Sequence, residues 1–337
     1  MAERLRAAVV GAGAWGTALG GLLARRGHDV ALWSFEDEVA RAVNEAHANP
    51  YLTGVALPES LRASTDLGAV VGGADLVLSV SPSQFVGRVM AEAAPHVRDD
   101  AVVVSASKGI ELDTLRSMDE VLGAVLPPSV MERFCVLSGP SFAAEVAREA
   151  PTAVVVASRH EDTARRVQGA LQTGHFRVYT NPDVVGVEVA GALKNVIALA
   201  AGVTAGLGFG HNTLAALITR GLAEITRLGV ALGAERATFS GLAGMGDLVL
   251  TCTGDLSRNR TVGYRLGQGE TLDAILADMK AVAEGVKTAE AAHALARRHH
   301  VEMPISEQVY RIVHEGKDPS QALRDLMLRD PKPEEWS

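Results

Sequence analysis

The stretch Val9-Val10-Gly11-Ala12-Gly13-Ala14-Trp15-Gly16-Thr17-Ala18-Leu19 places G-x-G-x-x-G between an apolar run and a run rich in alanine and leucine. The first run is typical of a buried strand and the second of a helix, so the glycines fall in a strand-to-helix turn. In such a turn Gly11 allows the tight bend, Gly13 lets the backbone approach a pyrophosphate, and Gly16 lets the helix pack on the strand. The stretch therefore predicts a dinucleotide-binding turn, with a glycine-rich turn that holds no ligand as the alternative.

Short apolar runs alternate with helical patterns from residue 5 to about residue 180. The predicted strands are 7–10, 30–33, 76–80, 102–106, 134–137, 153–157 and 176–179. The predicted helices between them include 36–46, 114–125 and 162–172. Continuous apolar strands separated by helices are typical of a mostly parallel sheet covered on both faces, so we predict a doubly wound α/β fold of the Rossmann type.

The strand pattern ends after Pro182, and long helical patterns rich in Ala, Leu and Val follow. We predict a dinucleotide-binding domain over 1–182, an all-helical substrate-binding domain over 183–330 and a charged tail over 331–337. The run 184–207 is apolar enough to suggest a membrane span. Glu188, Lys194 and several glycines inside it indicate instead a helix buried in protein.

Composition excludes several classes of function. The 337 residues are 47% hydrophobic, enough for a large core, and the formal net charge of −8 argues against nucleic acid or an anionic membrane as a partner. Cys135 and Cys252 are too few for a disulfide framework, and neither the cysteines nor the ten histidines have metal-binding spacing. Glycines interrupt the early apolar run and no cleavage site follows it, so we expect a cytoplasmic protein without a signal peptide.

Lys194 is the strongest single candidate for chemistry, because it stands among apolar residues on a predicted helix. Burial would lower its pKa from about 10.4 toward about 7–8, a range useful for a general acid or base. The alternative is a structural lysine paired with Glu188 or another carboxylate. Asp247, in a glycine-dense segment, could orient a lysine, bind a substrate hydroxyl or cap the segment that follows it.

Other polar residues follow predicted strands or helices. Lys108 comes just after the strand 102–106, and a shared crevice with Lys194 would let it stabilise an oxyanion. Ser257, Arg258 and Asn259 offer a hydroxyl, a guanidinium and an amide in succession. That set suits a phosphate, with a solvated basic turn as the alternative.

Several motifs, in order along 7–308, resemble those of the bacterial NAD(P)-dependent glycerol-3-phosphate dehydrogenase family. Besides the glycine turn they are Asn49-Pro50-Tyr51-Leu52, Leu57-Pro58, Pro82-Ser83-Gln84, Ser107-Lys108-Gly109-Ile110-Glu111, Leu137-Ser138-Gly139-Pro140-Ser141-Phe142-Ala143, Glu188-Val189-Ala190-Gly191-Ala192-Leu193-Lys194-Asn195 and Ser257-Arg258-Asn259. The resemblance implies reversible reduction of dihydroxyacetone phosphate to sn-glycerol 3-phosphate with NAD(H) or NADP(H). It also implies a role in glycerophospholipid synthesis, a cytoplasmic location and a homodimer.

The resemblance also implies roles for individual residues. Lys194 would donate the proton to the ketone oxygen and accept it in reverse, with Lys108 and Asp247 completing the catalytic set. The implied substrate positions are Lys108, Gly139, Ser141, Lys194, Asp247, Ser257, Arg258 and Asn259. To the glycines Gly11, Gly13 and Gly16, the cofactor positions add Ala14, Trp15, Phe35, Lys108, Ala143, Arg258, Val282 and Glu284.

The sequence departs from the family after Trp33. Family members often have a basic residue there, beside the 2′-phosphate of the adenosine, whereas this chain has Ser34-Phe35-Glu36-Asp37 and no arginine before Arg41. Two carboxylates would repel a 2′-phosphate. We therefore expect weak discrimination between NADH and NADPH, or a preference for NADH.

Overall fold

The computed structural model of the protein describes residues 4–279, 283–331 and 333–334. The described residues form one sheet of eight strands: β1 Arg6–Val10, β2 Asp29–Trp33, β3 Arg62–Ser64, β4 Leu76–Ser79, β5 Val102–Ser105, β6 Phe134–Ser138, β7 Thr152–Ala157 and β8 Phe176–Asn181. The strand order is β3-β2-β1-β4-β5-β6-β7-β8. Neighbouring strands are parallel except β6 and β7, so the predicted doubly wound, mostly parallel sheet is confirmed.

The order of the strands reverses between β1 and β4, which lie side by side. In an open parallel sheet this reversal marks the crevice where a ligand binds beyond the carboxyl ends of the strands. The loops after β1 and β4 start at this crevice. The sequence did not predict β3, because three residues that read Arg-Ala-Ser carry too short and too polar a pattern.

Helices make up most of the remaining described chain. They are α1 Ala14–Arg25, α2 Asp37–Ala46, α3 Leu67–Val71, α4 Val86–Ala93, α5 Met118–Gly123, α6 Pro128–Met131, α7 Ala143–Ala147, α8 Glu161–Leu171, α9 Val184–Gly206, α10 His211–Ala231, α11 Asp247–Thr253, α12 Arg258–Gly267, α13 Leu272–Asp278, α14 Glu284–Arg298, α15 Pro304–Glu315 and α16 Pro319–Met327. The predicted helix 114–125 is too long. Helix α5 begins only after Ser117, which forms a reciprocal cap with Glu120 and fixes the start of the helix there.

The chain forms two compact units. One is built from the residues up to Lys108 together with Arg116–Val184, and the other from Gly109–Leu115 together with the residues from Val185 on. The first unit contains the whole sheet, and its core includes strand residues such as Val9, Leu78 and Val104, each with no exposed surface. The second unit is helical wherever its residues are described as regular elements.

Helix α9 is the one described helix that is long and apolar enough to cross a membrane, with a mean hydropathy of 1.7 in its most apolar window. Of that window, 94% is buried inside the protein. A helix that is apolar on all sides is typical of a protein core as well as of a bilayer. The burial of α9 agrees with the sequence-based prediction that this helix lies inside the protein.

Candidate active site

The glycine turn after β1 has little room at two of its three glycines. Gly11 has φ +127°, and a Cβ atom there would lie 2.9 Å from the carbonyl carbon of Val80. A Cβ atom on Gly16 would lie 1.9 Å from the carbonyl oxygen of Gly11. Gly13 differs, because no atom lies within 4 Å of its Cβ position. Gly11 and Gly16 therefore allow the turn to close, and Gly13 leaves open space at the start of α1.

The open space at Gly13 suits an anion. Gly13 is the N-cap of α1 and makes no side-chain cap, and the first turn of α1 carries no acidic residue. The free backbone N–H groups and the positive end of the helix dipole remain available to a pyrophosphate. The indole nitrogen of Trp15 is buried and has no hydrogen-bond partner among the described residues. These features fit a bound dinucleotide.

Asn49 is hydrogen-bonded to the glycine turn, although it is not part of that turn in the sequence. Chemical reasoning on the sequence did not identify it as a functional residue. Its amide nitrogen donates to the carbonyl oxygen of Ala12 at 2.9 Å and to the hydroxyl of Thr17 at 2.8 Å. Only 2% of Asn49 is exposed. The signal that marked this residue was its place in the motif Asn49-Pro50-Tyr51-Leu52.

In the loop after β2, the side chain of Ser34 is bound locally and the side chain of Phe35 is exposed. The hydroxyl of Ser34 is used locally, because it donates to the carbonyl oxygen of Glu36 at 2.9 Å. Phe35 is 77% exposed. An exposed aromatic ring after the second strand of a dinucleotide fold can cover the adenine of a ligand.

Three predicted substrate positions lie together at the carboxyl ends of β5 and β6. The Lys108 ammonium donates to the carbonyl oxygen of Gly139 at 3.2 Å, and the Ser141 hydroxyl donates to the same oxygen at 3.0 Å. Gly139 has φ +124°, and a Cβ atom there would lie 3.0 Å from the Cα of Val154. Lys108, Gly139 and Ser141 therefore form one cluster.

Lys194 is buried and paired with a carboxylate. Its Nζ lies 2.5 Å from Oδ1 of Asp247 and 2.8 Å from the hydroxyl oxygen of Thr251. The exposed fractions of the three residues are 7%, 1% and 5%. Lys194 is therefore paired with a carboxylate, which is that of Asp247. The carboxylate favours the charged ammonium, which opposes the effect of burial.

Asp247 reaches Lys194 because an irregular turn precedes α11. Residues Leu242–Gly246 form one π-helical turn, and Asp247 is the first residue of α11. A Cβ atom on Gly244 would lie 2.1 Å from the carbonyl oxygen of Phe239, so only glycine fits there. Thr251 lies one turn further on, where its hydroxyl donates to the Asp247 carbonyl oxygen at 2.6 Å. The glycine-dense sequence therefore serves to place the carboxylate.

Ser257, Arg258 and Asn259 stand at the start of α12 rather than in a solvated turn. Ser257 is the N-cap, and its hydroxyl accepts from the backbone N–H of Arg260 at 3.3 Å. Arg258 is exposed and Asn259 is buried. An arginine at the N-terminus of a ten-residue helix combines a guanidinium with the helix dipole, and both favour a phosphate.

The remaining predicted cofactor positions are Ala143, Val282 and Glu284. Ala143 is the first residue of α7 and packs against the core of the first unit. Glu284 is the first residue of α14. Val282 lies outside the described residues.

The family models and the relative described next all carry the name glycerol-3-phosphate dehydrogenase. Residues 6–164 match the family model for the N-terminus of NAD-dependent glycerol-3-phosphate dehydrogenase, and residues 183–324 match the model for its C-terminus. A glycerol-3-phosphate dehydrogenase [NAD(P)+] of Geobacter sulfurreducens is 58% identical over 337 residues, which covers 100% of both chains.

Solved structures agree with these matches. The crystal structure of a glycerol-3-phosphate dehydrogenase from Coxiella burnetii is 40% identical and superposes with a TM-score of 0.91, covering 97% of this chain and 99% of that one. The glycerol-3-phosphate dehydrogenase of Saccharomyces cerevisiae is 28% identical with a TM-score of 0.82, covering 97% and 100% of the two chains.

Proposed function

The chain belongs to the NAD-dependent glycerol-3-phosphate dehydrogenase family, and from this premise we propose how its own residues carry out the reaction. It is an NAD(P)-dependent oxidoreductase that interconverts dihydroxyacetone phosphate and sn-glycerol 3-phosphate. Its product is a precursor for glycerophospholipid synthesis. A cytoplasmic location and a homodimer are part of the proposal.

The buried pair of Lys194 and Asp247 is the observation that carries the proposed mechanism. The carboxylate at 2.5 Å keeps the lysine in its ammonium form, and Thr251 fixes the direction of Nζ. An ammonium held in this way is a general acid that can protonate the oxygen of a ketone as negative charge develops on it. In the opposite direction the neutral amine takes the proton from the alcohol.

The glycine turn and α1 are proposed to hold the dinucleotide. The pyrophosphate would lie over Gly13, where the open Cβ position and the free N–H groups of α1 provide space and donors. Phe35, Ala143 and Glu284 are proposed as further contacts. When bound, the nicotinamide ring supplies the hydride that reduces the ketone carbon.

The phosphate of the substrate is proposed to bind at the start of α12. Arg258 would form two parallel hydrogen bonds to it, and the helix N-terminus would add backbone donors. Lys108 is proposed to stabilise the oxyanion, and its hydrogen bond to the carbonyl oxygen of Gly139, which fixes the position of its ammonium, supports this role. Asp247 takes part through Lys194 and orients the proton that is transferred.

The test is the oxidation of NADH and NADPH, measured with dihydroxyacetone phosphate and with non-phosphorylated ketones of similar size. We expect turnover with the phosphorylated ketone and a much lower kcat/KM for dihydroxyacetone, since the Arg258 site would be left empty. Equal kcat/KM values for the two would favour a hydroxyacid dehydrogenase of the same fold. Cofactor binding without turnover on any ketone would favour a protein that only senses the nucleotide.

A further inference from the structure

Helices α9 and α12 touch along a seam of backbone atoms. A Cβ atom on Gly263 would lie 2.0 Å from the carbonyl oxygen of Leu199, and one on Gly202 would lie 2.1 Å from that of Arg260. Two further glycines continue the seam at similarly short distances, Gly206 and Gly267. No side chain fits between the helices there. The relative position of α9 and α12 is therefore set by backbone contact, which leaves little freedom to slide.

An amide pair extends this seam toward the proposed active site. On α12, Asn259 stands four residues before Gly263, which puts both on one face of the helix. The Nδ2 of Asn259 donates to Oδ1 of Asn195 on α9 at 2.9 Å, and both side chains are buried. The two helices are thus joined by one specific hydrogen bond at the end of the seam.

The same amide holds the start of α14. The Oδ1 of Asn259 accepts from the backbone N–H of Gly285 at 2.9 Å. A Cβ atom on Gly285 would lie 2.7 Å from the carbonyl oxygen of Asn195 and 2.8 Å from Oδ1 of Asn259, so only glycine allows this approach. One buried amide therefore joins three helices, and we call Asn195, Asn259 and Gly285 the amide hub.

Each member of the amide hub directly follows a proposed functional residue in the sequence. Asn195 follows Lys194, Asn259 follows Arg258, and Gly285 follows Glu284. We propose that the amide hub is the positioning device of the reaction, which fixes the proton donor, the phosphate-binding residue and a cofactor contact relative to one another. Asn195 and Gly285 are its positioning residues, and this inference rests on the proposed function.

Geometry explains why such a device is needed. The glycine seam keeps α9 and α12 from sliding, but a rotation about the seam would still shift the residues at its end, and a directional polar contact opposes that rotation. The proton donor and the phosphate-binding residue lie on different helices, so such a shift changes the distance between the proton and the ketone oxygen. A misplacement of about 1 Å can reduce turnover by roughly 10²-fold. The Asn195–Asn259 bond prevents that shift.

The first test replaces Asn195. Asn195→Leu has a similar volume but no acceptor for Asn259, whereas Asn195→Asp retains one. We expect Asn195→Leu to lower kcat for dihydroxyacetone phosphate by about tenfold or more while the Kd for NADH changes by less than about threefold. Asn195→Asp should recover a large part of that loss. An Asn195→Leu protein with unchanged kcat would overturn the positioning role, whatever its stability.

The second test replaces Gly285 and has a matched control. Gly285→Ala places a methyl group against two oxygens of the hub, whereas Gly169→Ala adds the same methyl group to an exposed helical site with no atom within 4 Å. We expect Gly285→Ala to lower kcat/KM by about tenfold or more and Gly169→Ala to leave it within about twofold. Equal values for the two variants would overturn the proposal.

A third measurement needs no turnover and separates failure of the amide hub from failure of the proposed function. Unfolding by urea is compared for Asn195→Leu, Asn259→Leu and the double variant. If the hub exists, the single changes are not additive, and the unfolding constants deviate from additivity by a factor of roughly 2 to 150. Additive effects would overturn the hub. Non-additive effects in a protein that does not reduce dihydroxyacetone phosphate would contradict only the proposed function.

Discussion

The hydroxyl of Tyr51 donates a hydrogen bond to Oε1 of Glu36, with 2.9 Å between the two oxygens. This bond is the largest cause of a raised pKa of Tyr51, since it stabilises the protonated phenol. Glu36 is the residue before α2, directly after the loop that follows β2. In dinucleotide-binding folds the 2′ position of the adenosine ribose lies near this loop. Tyr51 thus holds a carboxylate directly after the loop that follows β2.

We expect this pairing to make the enzyme discriminate weakly between the two cofactors or prefer NADH. A held carboxylate accepts a hydrogen bond from the ribose hydroxyl of NADH and repels the 2′-phosphate of NADPH. The measurement is kcat/KM for both cofactors at fixed ionic strength, with Glu36→Gln expected to move the ratio toward NADPH. A preference of the unaltered enzyme for NADPH above roughly 100-fold, about 2.7 kcal/mol, would contradict this role.

Replacement of the proton donor should stop turnover but not cofactor binding. We expect Lys194→Ala to lower kcat by roughly 10²–10⁴-fold, the usual contribution of general acid catalysis, with the Kd for NADH close to unchanged. Because the change strands Asp247 in a buried site, it also destabilises the fold by about 3–5 kcal/mol. Lys194→Ala combined with Asp247→Asn removes the stranded charge and is the control for folding. A folded variant that retains more than about a tenth of the rate would exclude Lys194 as the acid.

The role of Arg258 can be tested with a change that keeps its charge. We expect Arg258→Lys to lower kcat/KM for dihydroxyacetone phosphate, because an ammonium cannot form the two parallel hydrogen bonds that a guanidinium makes to a phosphate. The loss should be much smaller for dihydroxyacetone, which has no phosphate. Equal losses for the two ketones would assign Arg258 to the cofactor or to the fold instead.

Glu224 should make stability depend on pH. It is 2% exposed, and its carboxylate accepts from the backbone N–H groups of Ile305 and Ser306 at 2.7 and 3.1 Å. Burial raises the pKa of Glu224 from 4.5 to about 7. The hydrogen bonds from Ile305 and Ser306 lower this pKa, but their effect is smaller than that of burial. The folded state therefore binds the proton more tightly, so its contribution to stability is complete below about pH 4.5 and is lost as the pH rises through about 7.

The measurement is the free energy of unfolding from pH 4.5 to pH 8 for the unaltered protein and for Glu224→Gln, which cannot ionise. The difference between the two should change in favour of the variant by an amount on the order of 3 kcal/mol as the pH rises. A difference that stays constant over this range would show that Glu224 has the same affinity for protons in both states.

The sequence predicted most of the sheet and the glycine turn because those features are local. A run such as Leu76–Ser79 is buried on both faces, so its apolar pattern alone indicates a strand. The reversed direction of β7 and β8 could not be predicted in this way, because parallel and antiparallel strands share the same apolar pattern when both faces are covered.

The candidate site was predicted by residue type but not by its contacts. Lys194 and Asp247 are 53 residues apart in sequence, and no spacing rule links them. Glu224 shows the same limit. Its carboxylate accepts from the backbone N–H groups of Ile305 and Ser306 at the start of α15, which are 81 and 82 residues away in the sequence. Long-range partners of buried polar groups depend on packing that a single sequence does not display.

The segment Gly109–Leu115 leaves the first unit, joins the second and returns. The polypeptide therefore passes between the units three times, at residues 108–109, 115–116 and 184–185. During synthesis this segment emerges before residues 185–337, which form the rest of the second unit, so its contacts with that unit form only after residue 185 has been made. A fragment cut at residue 184 carries seven orphaned residues, and the complementary fragment lacks them. Neither fragment therefore contains one complete unit and nothing else.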